Sequence, residues 1–177
     1  MSGAIHLASP APEHEADAAA YVAEFRAAGE AGIHGGGEIN EFERYVDWLD
    51  FNEKNKSWAT VRTGWVPGET FFAIRESDGK IVGMINVRYS LSDFLLHFGG
   101  HIGYSVRPNE RRKHYASEML RQALEILKSK GTGRALVICN EDNPASAGVI
   151  KRNGGVMENS EWDDEDQRWT QRYWIEL

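Results

Sequence analysis

The residues best suited to chemistry form a short basic stretch, Arg111-Arg112-Lys113-His114, which follows Pro108 and directly precedes Tyr115. The first main-chain N–H groups of a helix have no partner inside the helix, and they lie at the positive end of its dipole. An anion therefore binds readily where a strand runs through a short loop into a helix. We expect the final residues of this stretch, which supply the first N–H groups of the helix, to form such a site.

The elements on either side of this stretch have the patterns that the site requires. Between His101 and Val106, bulky residues alternate with small or polar ones, which predicts a strand, and Pro108 ends it because proline has no N–H to donate. Beyond the basic stretch, apolar residues recur at steps of three and four, which predicts a helix of about 113–130 that Gly131 ends. They are Ala116, Met119, Leu120, Ala123, Leu124 and Leu127.

The rest of the chain alternates between strand and helix patterns and contains no internal repeat. An Ala-rich helix is predicted from about 13 to 28, and Asn40 is a plausible N-cap for a second helix that ends near residue 52. Further strands are predicted at 70–74, 80–87, 134–139 and 168–177, and Asn143-Pro144 begins a helix that Gly154 ends. This order predicts an α/β (α+β) fold with a mixed, largely antiparallel sheet.

Composition limits the classes of function. The 177 residues carry a net charge of -7, which argues against broad nucleic-acid binding. The single cysteine, Cys139, lies in an apolar run and is more plausibly a packed thiol than a nucleophile. No segment is apolar enough to span a bilayer, and the N-terminus lacks the pattern of a secretory signal, so we expect a cytoplasmic protein without a membrane partner.

The strand, the basic turn, the helix and the Asn143-Pro144-Ala145-Ser146 helix start together resemble the GNAT superfamily of acetyl-CoA-dependent N-acyltransferases. The resemblance covers roughly 70–177 and is most specific from 101 to 155. In that family the turn reads Gln or Arg, two residues, Gly, one residue, then Gly or Ala. Arg111 and Ala116 match it, whereas His114 stands in the place of the glycine.

The resemblance implies a fold and a domain organisation. It implies a sheet of about six or seven strands flanked by helices, in which the central strands are parallel and splayed. Residues 1–177 would form one acetyltransferase domain, with the N-terminal helices of about 13–54 forming part of the acceptor side. The exposed final strand could pair across a homodimer.

The resemblance also implies coenzyme A as the bound anion and acetyl-CoA as co-substrate, with no metal. Its pyrophosphate would bind at the turn, its pantetheine arm along the preceding strand, and Asn143 and Ser146 would either contact it or only cap their helix. A histidine at position 114 can present its N–H if its φ is negative. The expected cofactor-binding residues are Tyr104, Ser105, Val106, Arg111, Arg112, Lys113, His114, Tyr115, Ala116, Ser117, Asn143 and Ser146.

The implied reaction is direct attack by a primary amine, from a small molecule or a peptide, in a ternary complex. Many family members carry a glutamate where this chain has His101, so His101 is the candidate general base, although it could equally satisfy only local hydrogen bonds. Ile150 stands where a tyrosine acid is usual, which leaves Tyr104, Tyr115, Tyr173 or solvent. His114 and Ile150 also motivate an alternative, a non-catalytic acyl-CoA-binding module.

Overall fold

A computed structural model describes residues 3–177, which form a seven-stranded sheet with the strand order β1-β2-β3-β4-β5-β7-β6. The strands are β1 (Ile5–Ala8), β2 (Gly68–Arg75), β3 (Ile81–Arg88), β4 (Ile102–Val106), β5 (Arg134–Asn140), β6 (Val156–Asp163) and β7 (Arg168–Glu176). The helices are α1 (Glu15–Ala27), α2 (Tyr45–Lys54), α3 (Tyr115–Ser129) and α4 (Pro144–Arg152). The predicted mixed, largely antiparallel sheet is confirmed.

The centre of the sheet is its only parallel junction in the described part of the chain. Helix α3 connects β4 to β5, and the two strands share a single registered pair, Ile102 with Val137. On its other side β4 pairs with β3 along its whole length. The strands β4 and β5 therefore separate after Ile102, as predicted, and the β5-facing main chain of Tyr104–Val106 has no strand partner.

Two apolar cores cover the two faces of this sheet. Met119, Leu120 and Leu127 of α3 and Ile150 of α4 are fully buried on one face. On the other face Tyr21 of α1 and Trp48 of α2 pack with Phe72 of β2. Helices thus pack on both faces of the sheet, and the gap between β4 and β5 lies between these two layers.

Two local predictions are wrong. Asn40 does not cap α2, which begins at Tyr45, because the buried Trp48 donates from Nε1 to the carbonyl oxygens of Gly36 and Gly37 at 3.2 and 2.8 Å and binds the preceding segment as a tight loop. The final strand is not exposed either, because β7 lies between β5 and β6 and leaves β6 at the edge. No helix within residues 3–177 is long and apolar enough to cross a membrane.

Candidate active site

A cavity of about 500 Å³, here called the turn cavity, opens where β4 separates from β5 and the chain turns into α3. Most of the residues predicted to bind the cofactor line it; Lys113 does not, and neither does His101. The predicted residues along it are Tyr104, Ser105, Val106, Arg111, Arg112, His114, Tyr115, Ala116, Ser117, Asn143 and Ser146. Phe25, Glu30, Gly32, His34, Glu110, Ala145, Val149 and Arg152 complete the lining.

The main chain of the turn is shaped for an anion. Arg112 and His114 both have left-handed conformations, with φ of 63° and 64°. No main-chain N–H from Arg112 through Ser117 donates a hydrogen bond within the described residues. Left-handed residues alternating with ordinary ones, followed by a helix N-terminus, form a concave set of N–H donors. The turn therefore offers unpaired donors to a ligand.

The negative φ under which His114 was expected to present its N–H is not the conformation that the structure shows. With φ 64° and ψ 9°, the histidine adopts the backbone conformation that glycine takes without cost. Histidine is one of the residues that tolerate this region better than most. The departure from the family's turn therefore changes the side chain and adds strain, but it keeps a glycine-like backbone.

The basic side chains of the turn divide into paired and free groups. Both terminal nitrogens of Arg111 bind Glu30, at 2.8 and 2.9 Å, and its Nε donates to the Val106 carbonyl at 3.2 Å. The ammonium of Lys113 lies 2.7 Å from Glu110. Arg112 has no ion-pair partner among residues 3–177, and neither does Arg152, whose guanidinium lies 3.4 Å from the His114 ring. Arg112 and Arg152 are thus the cations available to a ligand.

The side chains on either side of the β4–β5 gap bind one another. The Tyr104 hydroxyl lies 2.7 Å from the Ser146 hydroxyl, which joins β4 to α4, and burial raises the pKa of Tyr104 to about 12. Asn143 caps α4, because its side chain accepts from the Ser146 N–H at 3.0 Å. On the other face Ser105 bonds to the Tyr21 hydroxyl at 3.0 Å.

The three candidate tyrosines have different surroundings. Tyr173 is fully buried and donates to Gln171, whereas the Tyr115 hydroxyl meets the Arg75 guanidinium at 3.4 Å. Ile150 lies wholly in the apolar core. Tyr104 combines a place along the turn cavity with a hydroxyl directed across the gap between the strands.

A second cavity of about 510 Å³, here called the loop cavity, lies between the glycine loop after α1, helix α2 and the end of β3. Its lining includes Phe51, Asn52, Asn86, Arg88 and Phe94. His34 lines both cavities.

The loop that carries His34 rests directly on β4. Gly35 has φ 75°, and a Cβ there would overlap the main chain of Gly103 and Tyr104. Only glycine permits that approach, and the Trp48 hydrogen bonds fix the following residues. His34 is therefore held beside β4 at the junction of the two cavities.

His101 lies outside the lining of both cavities. It is buried, its Nδ1 accepts the Leu136 N–H at 2.9 Å, and burial, reinforced by Arg88, lowers its pKa to about 4. At neutral pH the ring is thus uncharged, with Nδ1 occupied and the proton on Nε2. These contacts are local hydrogen bonding, and the catalytic role of His101 stays a prediction.

Three residues along the cavities were missed by sequence reasoning: His34, Arg88 and Arg152. The glycine run after His34 was an available signal, since consecutive glycines allow close approach of two main chains. Arg88 and Arg152 end a strand and a helix respectively, and nothing in their local pattern distinguishes them. No cluster of three or more metal-ligating side chains occurs in the part of the chain that the structure describes.

Comparison with known proteins gives a family. Residues 10–156 match the family model described as an acetyltransferase (GNAT) domain. No curated protein matches the chain significantly.

Solved structures show the same fold at low identity. The microcin C7 self-immunity acetyltransferase MccE, in complex with acetyl-CoA and AMP, has a TM-score of 0.68 and 16% identity over 98% of this chain and 92% of that one. RimL, a ribosomal L7/L12 alpha-N-protein acetyltransferase in complex with coenzyme A, has a TM-score of 0.68 and 14% identity over 98% of this chain and 94% of that one. A GNAT acetyltransferase from Streptococcus pneumoniae has a TM-score of 0.64 and 15% identity over 98% of this chain and 99% of that one.

Proposed function

The chain belongs to the GNAT acetyltransferase family, and from that premise we propose that it transfers an acetyl group from acetyl-CoA to an amine by direct attack in a ternary complex. One observation carries the proposal: the turn cavity presents unpaired main-chain N–H groups and free cations, and it meets a second cavity at His34. Such a pair of cavities fits two substrates that react where they meet.

The residues of the turn cavity fit acetyl-CoA. Of the similar structures, MccE is in complex with acetyl-CoA and RimL with coenzyme A. The N–H groups of 112–117, with Arg112 and Arg152, would bind the pyrophosphate, and the unpaired edge of Tyr104–Val106 would bind the pantetheine amides. Arg111 would act by holding the turn against Glu30. Acetyl-CoA supplies an activated thioester.

The acceptor amine must lose a proton before it attacks. A lysine-like amine with a pKa of about 10.4 is neutral in about one molecule in a few thousand at pH 7, which adds about 4 to 5 kcal/mol to the barrier. An imidazole can accept a proton near neutral pH. We propose His34 for this role because it lies between the cavities, and His101 is the competing candidate from the sequence.

Two further groups serve the transfer. A main-chain N–H near Val106, on the unpaired edge of β4, would stabilise the developing oxyanion. Tyr104 stays protonated at neutral pH, since burial raises its pKa to about 12, and it can donate a hydrogen bond or a proton to the departing thiolate.

The remaining features of the proposal concern the protein as a whole. Residues 1–177 act as one domain, with the segment of about 13–54 forming part of the acceptor side, because the loop cavity includes residues from the glycine loop and α2. The acceptor is a small molecule or a peptide. We place the protein in the cytoplasm, consistent with its one buried cysteine, and a second copy would pair along the edge strand β6.

Release of free thiol from acetyl-CoA in the presence of an amine panel tests the proposal. We expect amine-dependent release that falls roughly a hundredfold or more in His34→Ala if His34 is the base. His101→Gln is the matched control, because it also removes an imidazole, and it should release thiol at the wild-type rate. Tight acetyl-CoA binding without release for any amine would favour the acyl-CoA-binding module instead.

A further inference from the structure

The loop cavity contains a guanidinium without a counter-ion. Arg88 ends β3, is partly buried, and makes no ion pair with any carboxylate of residues 3–177. Its Nη1 donates to the carbonyl oxygens of Gly99 and Gly100 at 3.0 and 3.1 Å. Its Nε and Nη2 have no protein partner among the described residues. Desolvation lowers the pKa of Arg88 to about 10, so it remains charged at neutral pH.

The other charges of the cavity do not compensate Arg88. The Glu38 carboxylate lies 3.2 Å from the Arg62 guanidinium, and that pair is neutral overall. Asn52 and Asn86 supply only amide groups, and each amide nitrogen already donates, to Trp48 and Thr70 respectively. A partly desolvated charge without a partner is costly, and an anionic ligand would remove that cost.

The position of Arg88 relates this charge to the reaction. Its Nη2 lies 3.4 Å from where a Cβ on Gly103 would be, on the strand against which the His34 loop rests. Phe51 and Trp65, whose ring centroids are 5.7 Å apart, form an apolar part of the same cavity, together with Phe94. The cavity thus combines one fixed cation beside β4 with aromatic walls.

We propose that the acetyl acceptor carries an anionic group, a carboxylate or a phosphate, that binds Arg88, on an apolar or aromatic body. The inference rests on the proposed function only where it identifies the ligand as the acetyl acceptor. Binding of an anion at Arg88 can be tested without turnover. A guanidinium binds either oxyanion through paired N–H donors, so the two sources share one chemistry.

Binding is tested by calorimetry with three probes: benzoate, phenyl phosphate and the neutral benzyl alcohol. The protein is first saturated with coenzyme A so that the turn cavity is filled. If coenzyme A does not bind, the Arg112→Ala, Arg152→Ala variant removes anion binding at the turn instead. We expect at least one of the two anions to bind the wild type more tightly than benzyl alcohol does.

The variants separate a specific site from general charge. Arg88→Gln should weaken anion binding roughly ten- to hundredfold, the range for a hydrogen bond to a charged group. Arg88→Lys keeps the charge and should retain most of the affinity, and it remains informative if Arg88→Gln does not fold. Lys54→Gln removes one positive charge from an exposed pair with Asp50 on α2, outside the lining of the cavity, and should leave binding unchanged.

Turnover then connects the anion to the acceptor. With L-phenylalanine against 2-phenylethylamine, and O-phosphoethanolamine against ethanolamine, the anionic member should have the lower KM. Arg88→Gln should raise that KM while the affinity for acetyl-CoA stays at the wild-type value. Equal anion affinity in wild type and Arg88→Gln, no binding of either anion by folded wild type, or preference for the neutral amines would overturn the inference. If the folded wild type does not bind acetyl-CoA, the proposed function is overturned instead.

Discussion

The left-handed His114 gives a quantitative prediction about the turn. A non-glycine residue in this region costs about 1–2 kcal/mol, whereas glycine pays about 0.5–1 kcal/mol of extra chain entropy on folding. The difference predicts that His114→Gly is more stable than His114→Ala by about 0.5–1 kcal/mol. For a chain of this size that corresponds to a Tm difference of roughly 1–4 °C.

The glycine and alanine variants share everything except the backbone preference. Both lose the imidazole and its 3.4 Å approach to Arg152, so their difference isolates the cost of φ 64°. Lys113 is the matched control, because its φ is not positive. There the order should reverse, and the alanine variant should be the more stable one.

Urea denaturation measures these differences, and calorimetry with acetyl-CoA adds a second readout. We expect His114→Gly to bind acetyl-CoA as tightly as His114→Ala does, because both variants lose the imidazole and keep the main-chain N–H groups of the turn. A glycine variant less stable than the alanine variant would refute the backbone argument. Tighter binding by glycine alone would show that the turn forms only when the cofactor binds.

Three further predictions concern β4 and its neighbours. The pKa of His101 is lowered from 6.5 to about 4, so the unfolded chain binds a proton that the folded one does not, and stability should fall by about 1.4 kcal/mol per unit as the pH drops from 6.5 towards 4. His101→Gln should flatten this pH dependence of stability, measured by urea titration. The pH profile of the rate is a separate test: if it has an acid limb near pH 4 that disappears in His101→Gln, then His101 is the base. Tyr104→Phe should lower kcat roughly a hundredfold and leave the KM for acetyl-CoA unchanged; an unchanged kcat would exclude Tyr104 as the acid. Arg107→Met should lower the free energy of unfolding by roughly 2–4 kcal/mol, because the buried guanidinium of Arg107, directly after β4, binds Asp17 and Glu24 of α1 at 2.6 and 2.7 Å. A change near zero in denaturant unfolding would contradict that role.

The fold was largely predictable because its signals are local. The spacing of Met119, Leu120 and Leu127 defines a helix whatever surrounds it, and the strands predicted at 70–74 and 80–87 pair as β2 and β3. Failures occurred where a distant residue determines the conformation. Asn40 has the right chemistry for an N-cap, but Trp48 binds the loop before it, and that contact has no sequence pattern.

The candidate site divides in the same way. The turn from Arg111 to Ser117 follows from a strand end and a helix start, so a candidate anion site could be predicted there from spacing. The roles proposed for His34 and Arg88 depend on the loop cavity, whose walls come from segments far apart in the chain. The φ of His114 was not predictable either, because the side-chain type alone favours a negative value.

Calorimetric titration of acetyl-CoA into the wild type tests the central claim most directly, with the Arg112→Ala, Arg152→Ala variant beside it. We predict that the wild type binds and that the double variant binds roughly ten- to hundredfold more weakly, because it loses the two free cations of the turn cavity. Arg121→Ala, on α3 and paired with Glu118 at 2.7 Å, should bind as the wild type does. Equal affinity in the double variant, or no binding by the folded wild type, would contradict the account.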